Sequence, residues 1–385
     1  MFFMLNILEF RDKINKEEGD RMKKNVLVAM SGGVDSAVCA YLLCRDGFDC
    51  TGVTLKLFDG CDIGCANELC FENDISDAKK ICQKLNIPHE VLELKDKFKK
   101  YVISSFVESY LSGLTPNPCI ECNRHIKFTS ILDAFAKDSD TKIATGHYAN
   151  VVFDKSSGRY LIKKAQDLTK DQSYVLYSLS QETLSKVIFP LGNLTKDEAR
   201  SIALDNGFVN ARKKDSQDIC FIKDGNYRKF LEFYTGSTFD EGDFILPDGK
   251  VIARHKGLPF YTIGQRKGLG IAYEHPLYVI SKDREKNAVI VGNEDLLFQN
   301  KVIVDKVNLI AYEKLISPIK ASAKLRYAQK ESECVIHPLD EKSVLLEFDE
   351  PQRAVTPGQS AVFYDGEFVI GGGEIGANQR FASEE

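Results

Sequence analysis

Several absences narrow what this 385-residue chain can be. No apolar run approaches the roughly twenty residues a membrane-spanning helix needs. Met1 to Phe10 is apolar but short, has no basic flank before it and runs straight into Arg11, Asp12 and Lys13, so neither a membrane span nor a secretory signal is expected. Positive charge is not in excess: 51 Lys and Arg stand against 56 Asp and Glu, a net charge of −5, which excludes binding of nucleic acid through overall charge and leaves only a local basic face. There is no low-complexity segment and no internal repeat, which argues against a solenoid. What remains has 43% hydrophobic and 28% charged residues, ordinary for a globular protein, at a length that calls for two or three domains. Eleven cysteines without a secretory signal predict a cytoplasmic location and reduced thiols. Most are expected to be small buried hydrophobes, with Cys39, Cys44 and Cys82 in helix-like stretches. Residues 1–23 fit nothing that follows and are set apart as an extension, with Met22 a candidate start.

One further absence is chemical. Ala29, Met30, Ser31, Gly32, Gly33, Val34, Asp35 and Ser36 lie between a strand-like run from Asn25 and a helix-like run ending near Asp46. Two glycines allow a tight bend that presents successive N–H groups, and the opening helix adds its positive end, so the loop can cradle an oxyanion. A Walker loop would put Lys and Ser or Thr after its second glycine. Here Asp35 and Ser36 stand in that region, so the loop resembles the pyrophosphate loop of ATP pyrophosphatases, which split ATP between the α and β phosphates and adenylate a substrate oxygen.

Thr51 to Leu57 predicts a second buried strand whose carboxyl end would lie beside the first, which makes Leu55 a candidate wall for an adenine ring. Cys61, Cys65 and Cys70 follow at spacings that match no zinc pattern, with no histidine near. A helix over Glu72 to Asn86, a strand over His89 to Leu94 and a helix from Phe98 to Ser112 complete a second βαβ unit. Then comes Asn117, Pro118, Cys119, Ile120, Glu121, Cys122, Asn123, Arg124, His125, Ile126, Lys127, Phe128. Cys122 near a helix N-terminus, with Arg124 and Lys127 beside it, predicts a depressed thiol pKa. A CxxC pair in such a chain is redox, zinc, iron–sulfur or catalytic. Lys142 to Thr145 predicts another buried strand leading to Gly146, His147 and Tyr148. Gly146 reads either as a close approach to the nucleotide or as a turn, and His147 either as chemistry or as a satisfied structural histidine. Lys170, Asp171, Gln172, Ser173 and Tyr174 form a polar loop, Thr195 with Glu198 a capping box, and the basic run from Arg212 leads to Cys220. Beyond about residue 225 helical periodicity is absent and short β-type runs recur, with positive loops at Arg254 to Lys256 and Gln265 to Gly268. The domain expectation is a doubly wound, mostly parallel α/β sheet over 24–223, a small β-rich domain over 224–292 and a β-barrel over 293–385.

Taken together, the pyrophosphate loop, the Asn117 to Phe128 stretch, Ala144 to Tyr148, Lys170 to Tyr174, Asp215 to Ile222, Thr262 to Gly270 and Val355 to Ser360 resemble the bacterial tRNA-specific 2-thiouridylases, from about Lys24 to Gly373. The resemblance implies an adenine nucleotide alpha hydrolase-like fold and ATP-dependent replacement of the C2 oxygen of the wobble uridine by sulfur, with Mg²⁺ at the leaving pyrophosphate. It implies that Cys220 receives persulfide sulfur from a relay protein or cysteine desulfurase, and that Cys122 is a nucleophile that assists sulfur release through a disulfide. It carries tRNA contacts onto Asn117, Pro118, Cys119, His147, Lys170, Asp171, Gln172, Arg326, Tyr327 and Gln359. Cys119 stands where many members have aspartate. Related tRNA thiolases hold a [4Fe–4S] cluster on three cysteines, so Cys119, Cys122 and Cys220 form a rival ligand set. The competing activity is that of an ATP pyrophosphatase adenylating a small metabolite for amide or C–N bond formation.

Overall fold

The computed structural model describes residues 24–64, 69–136, 138–213, 218–222 and 225–377. The expected extension 1–23, Cys65 and the turn over 214–217 lie outside the described residues, and of Cys70 only the backbone is described. Along the chain run β1 (Asn25–Ala29), β2 (Asp49–Lys56), β3 (His89–Glu93), β4 (Lys142–Ala144), β5 (Asn150–Asp154), β6 (Arg159–Lys163) and β7 (Val187–Ile188). After them come β8 (Gly242–Ile245), β9 (Val251–His255), β10 (Tyr278–Asp283) and β11 (Ala288–Gly292). The last six are β12 (Phe298–Leu309), β13 (Ile319–Lys324), β14 (Ser332–Pro338), β15 (Val344–Arg353), β16 (Ser360–Asp365) and β17 (Phe368–Ile375).

The first sheet has the order β3-β2-β1-β4-β7 and all its pairings are parallel. Strands alternate their side chains, so Val26 and Val28 of β1 enter one core with the helices Val34–Arg45, Leu69–Leu85 and Lys196–Asp205, while Leu27 enters the core on the other face with Ile120, Phe128 and Ile131. Helices on both faces satisfy what a parallel sheet requires. The chain leaves β1 toward β2 on one side and returns through β4 on the other, so the loop after β1 lies at the topological switch point, where open α/β sheets bind ligands.

Two expectations are corrected. The segment read as one helix from Phe98 begins as a helical turn over Lys95–Phe98, passes through a π turn over Lys99–Ile103 and continues as Ser104–Leu111. Helical structure does not end near residue 225: Tyr227–Thr235 is a nine-residue helix, capped by the Asn226 side chain and stopped by left-handed Gly236. Its apolar Phe230 and Leu231 are buried against Phe106 and Phe221, which is the helical pattern the β reading overlooked. β16 and β17 form a hairpin that turns at Gly366.

The middle unit is a four-stranded sheet, β10-β11-β8-β9. The last six strands close a barrel through the additional β12–β17 pairing. The β5–β6 hairpin, which leaves the parallel sheet after β4, joins the barrel sheet through Ile162 and Lys163 on β17.

Candidate active site

Gly32 has a φ of +70°, and a Cβ there would fall 2.5 Å from the Asp74 carbonyl oxygen, so both backbone and space demand glycine. Gly33 precedes the helix Val34–Arg45 in extended conformation and supplies no side-chain cap, leaving the first-turn N–H groups to an external acceptor. Ser36 Oγ donates to the Gly33 carbonyl at 2.9 Å and accepts from the Ser31 N–H at 3.2 Å, so this serine holds the turn. Asn210 Nδ2 donates to the Gly32 carbonyl at 3.0 Å, while its Oδ1 is buried without a protein partner. An uncapped helix start and a glycine cradle fit a bound polyphosphate.

Asp35, in the first turn of that helix, accepts from Lys196 Nζ at 2.7 and 2.9 Å and from Tyr148 Oη at 2.9 Å. Lys196 is the first residue of Lys196–Asp205, placed by the Thr195 and Glu198 capping box, and is 7% exposed. The cation missing from the loop sequence is therefore supplied from 161 positions downstream. Sequence reasoning found the capping box and passed over the lysine inside it. Lys213 adds a second cation, 3.3 Å from the Gly32 carbonyl and 2.6 Å from Asp74. A single carboxylate such as Asp35, completed by phosphate oxygens and water, is a usual Mg²⁺ arrangement.

Gly146, expected at the nucleotide, approaches the backbone of Asp35: a Cβ there would lie 2.7 Å from the Asp35 carbonyl carbon. Leu55 is half-buried at the end of β2, against both neighbouring cores. His147 is buried, with Nδ1 2.6 Å from Thr145 Oγ1 and Nε2 3.5 Å from Lys127 Nζ. Burial first, and the Lys127 charge second, hold it well below the usual histidine range, so the ring is neutral.

Lys127 ends a π turn over Asn123–Lys127 that directly continues the short helix Pro118–Cys122. Asn117 caps that helix by accepting from the Cys119 N–H, and Pro118 occupies its first turn. Burial pushes the Cys122 thiol up to about 11, and it also raises Cys119 and Cys220; the Lys127 charge opposes the rise at all three. The expected depressed thiol at Cys122 is thus overturned. Cys122 lies past the first turn, where the dipole acts most, and Arg124 is spent on Glu121 at 2.9 Å, so desolvation wins. Charge on Cys122, and then on Cys119, further raises Cys220. Among the described residues, however, no three His, Cys, Asp or Glu side chains are gathered as a metal requires. The three cysteines as placed do not fit an iron–sulfur cluster.

The remaining expected tRNA contacts are placed as follows. Asp171 is buried and accepts from the Ala165 N–H and from Ser173 Oγ; Gln172 Oε1 accepts from the Tyr148 N–H at 3.0 Å; Lys170 is half-buried beside them. Arg326 donates to the Ala354 carbonyl and to Thr356 Oγ1, and Tyr327, 45% exposed, donates to the Asp171 carbonyl at 3.2 Å. Gln359 Nε2 donates to the Thr115 carbonyl at 2.7 Å.

Family models described as a tRNA methyl transferase HUP domain, a tRNA methyl transferase PRC-barrel domain and an aminomethyltransferase beta-barrel domain match residues 24–224, 228–293 and 299–375. The tRNA-specific 2-thiouridylase MnmA of Heliobacterium modesticaldum is 46% identical, covering 93% of this chain and 94% of its own. That of Acetivibrio thermocellus is 44% identical over 92% of this chain and 99% of its own, and that of Clostridioides difficile 43% identical over 92% and 98%. With a HUP-type sheet, a phosphate-cradling loop at its switch point and relatives of this identity over nearly their whole length, the chain belongs to the tRNA-specific 2-thiouridylase family.

Proposed function

We propose that this protein replaces the C2 oxygen of a tRNA wobble uridine by sulfur, activating that oxygen with ATP and delivering sulfur as a persulfide. The observation that carries the reading is a line of contacts from the phosphate loop to Lys127, whose charge in turn reaches the cysteines. Asp35 of the phosphate loop abuts Gly146, His147 follows, Lys127 reaches His147, and the Lys127 charge acts on Cys119, Cys122 and Cys220.

ATP binds over Ala29 to Ser36 with its phosphates on the uncapped helix start, and the uridine C2 oxygen attacks the α phosphorus as pyrophosphate leaves. Lys196 and Lys213 offset the charge of the departing group, and Asp35 is the carboxylate that would hold Mg²⁺, which would supply further neutralisation of the pyrophosphate. Adenylation turns a poor leaving group into AMP. Sulfur arrives on Cys220 as a persulfide, its terminal sulfur adds to C2, and AMP departs. Attack by Cys122 on the Cys220 sulfur then breaks the S–S bond, frees the thiouridine and leaves a Cys122–Cys220 disulfide, which an external thiol must reduce. Cys119 positions the base. The overall charge is −5, so docking falls to local basic loops, among them the exposed Lys256, Arg266 and Lys267, and added salt weakens binding.

The test supplies purified protein with ATP, tRNA and a persulfide donor. It measures pyrophosphate release and 2-thiouridine, together with iron content, for wild type and for Cys119→Ala, Cys122→Ala and Cys220→Ala. The proposal expects tRNA-dependent pyrophosphate release, dead Cys122 and Cys220 variants, and an active, iron-free Cys119 variant. An inactive Cys119 variant that has lost about four irons refutes the relay in favour of a cluster. Pyrophosphate release without tRNA, driven by a small metabolite, refutes the substrate assignment.

A further inference from the structure

The segment that leads into the cysteine helix is held from outside its own domain. Leu114 donates its N–H to the Ser109 carbonyl, closing the preceding helix. At Thr115 both backbone polar groups turn to the barrel: its N–H donates to the Pro357 carbonyl at 2.9 Å, and its carbonyl accepts from Gln359 Nε2 at 2.7 Å. Between these ties stands Gly358, at φ +86°, where a Cβ would lie 2.8 Å from both the Leu114 Cβ and the Thr115 nitrogen. The barrel loop is itself fixed, because Gly358 donates to the Ile375 carbonyl and Ile375 donates to the Gln359 carbonyl, at the end of β17. The next residue, Ser360, accepts from Tyr174 Oη at 2.7 Å through its carbonyl and meets Tyr177 Oη at 3.1 Å through its hydroxyl, so a second segment of the site hangs on the same strand.

The cysteine helix packs its Ile120 into the core with Phe128 and Ile131, while the segment before it faces the barrel across a gap. That gap is a cavity of about 310 Å³ lined by Pro116, Asn117 and Glu121 on one side and by Gly358, Ser360 and Glu374 of the barrel on the other. Beside that gap the two Thr115 hydrogen bonds tie the entry to the helix, just before Asn117, to the barrel.

We propose that the barrel loop Thr356 to Ser360 is a strut that sets the position of the cysteine helix, with Gln359 as its positioning residue. The inference rests on the thiolation reading for its effect on turnover, but the strut also has a readout independent of it. Half-buried Cys122 gains access to solvent when the Thr115 tie is cut, so its reaction with iodoacetamide in the tRNA-free protein reports the strut directly.

Gln359→Ala and Gln359→Glu both remove the donor, the second at nearly constant shape. A lost hydrogen bond of about 1 kcal/mol corresponds to roughly a fivefold change. Both variants are expected to label Cys122 about fivefold faster and to lose about fivefold in kcat, with KM for tRNA nearly unchanged. Circular dichroism confirms that each variant is folded. Wild-type labelling and kcat in either variant overturns the proposal. So does a rise in KM for tRNA with kcat and labelling intact, since Gln359 would then be a tRNA contact only. If the wild-type protein releases no tRNA-dependent pyrophosphate while Gln359→Ala still labels faster, the thiolation reading fails and the strut stands.

Discussion

Asp35 is the residue whose loss the structure prices most clearly. Its carboxylate receives three hydrogen bonds, two from Lys196 and one from Tyr148. The Lys196 side chain is 9% exposed and that of Asp35 33%. Removing one partner of a fully buried pair costs about 3 to 5 kcal/mol, and the partial exposure of Asp35 reduces this to about 2 to 3 kcal/mol for Asp35→Ala. For a unit of this size each kcal/mol lowers Tm by about 2 to 4 °C, so a drop of roughly 4 to 12 °C is expected in thermal unfolding. Replacing Lys196 as well removes the uncompensated ammonium. The double variant Asp35→Ala with Lys196→Met is therefore expected to be at least as stable as Asp35→Ala alone, with a coupling of about 0.5 to 3 kcal/mol. Stability and chemistry separate here: the double variant regains stability but releases no pyrophosphate. Two results would refute the reasoning. Strict additivity of the two substitutions would show that the pair is not coupled, and full pyrophosphate release by Asp35→Ala would remove the loop from the reaction.

Lys127→Met deletes the charge that lowers the site thiols, so the Cys122 pKa rises above about 11 and alkylation at pH 8.5 slows by about threefold or more; an unchanged or faster rate contradicts the assignment. His147 is held neutral, with its folded pKa well below that of the unfolded chain, near 6.5. Its contribution is thus complete above about pH 6.5 and falls by up to about 1.4 kcal/mol per unit as pH drops below it, where only the unfolded chain takes the proton. His147→Gln should flatten that part of the stability profile, and chemical denaturation from pH 7.5 to 5 measures it. Gly32→Ala forces a Cβ to 2.5 Å from the Asp74 carbonyl oxygen in a left-handed backbone, so it should cost about 1 to 3 kcal/mol and abolish ATP binding measured by calorimetry.

Local chemistry determined much of this protein from sequence. A strand, two glycines and a helix start need no distant partner, so the phosphate loop was legible, as were the capping box at Thr195 and the proline-led turn before Cys122. Alternation and helical spacing placed β1 to β4, because each strand or helix carries its own apolar period. The helix Tyr227–Thr235 was missed because a nine-residue amphipathic stretch set among β-type runs offers little more than two turns of signal. Tertiary structure alone decided the electrostatics. A depressed thiol at Cys122 followed from its neighbours in sequence, yet its pKa is set by desolvation and by Lys127, and folding diverts Arg124 to Glu121. Asp35 meets Lys196 only because the sheet reverses its order at β1 and brings a helix start from far downstream onto the loop. The Thr115 tie to the barrel was equally invisible, since backbone groups carry no residue-specific mark in a sequence. Short-range preferences belong to residues, whereas burial, pairing and pKa belong to the positions that the fold assigns them.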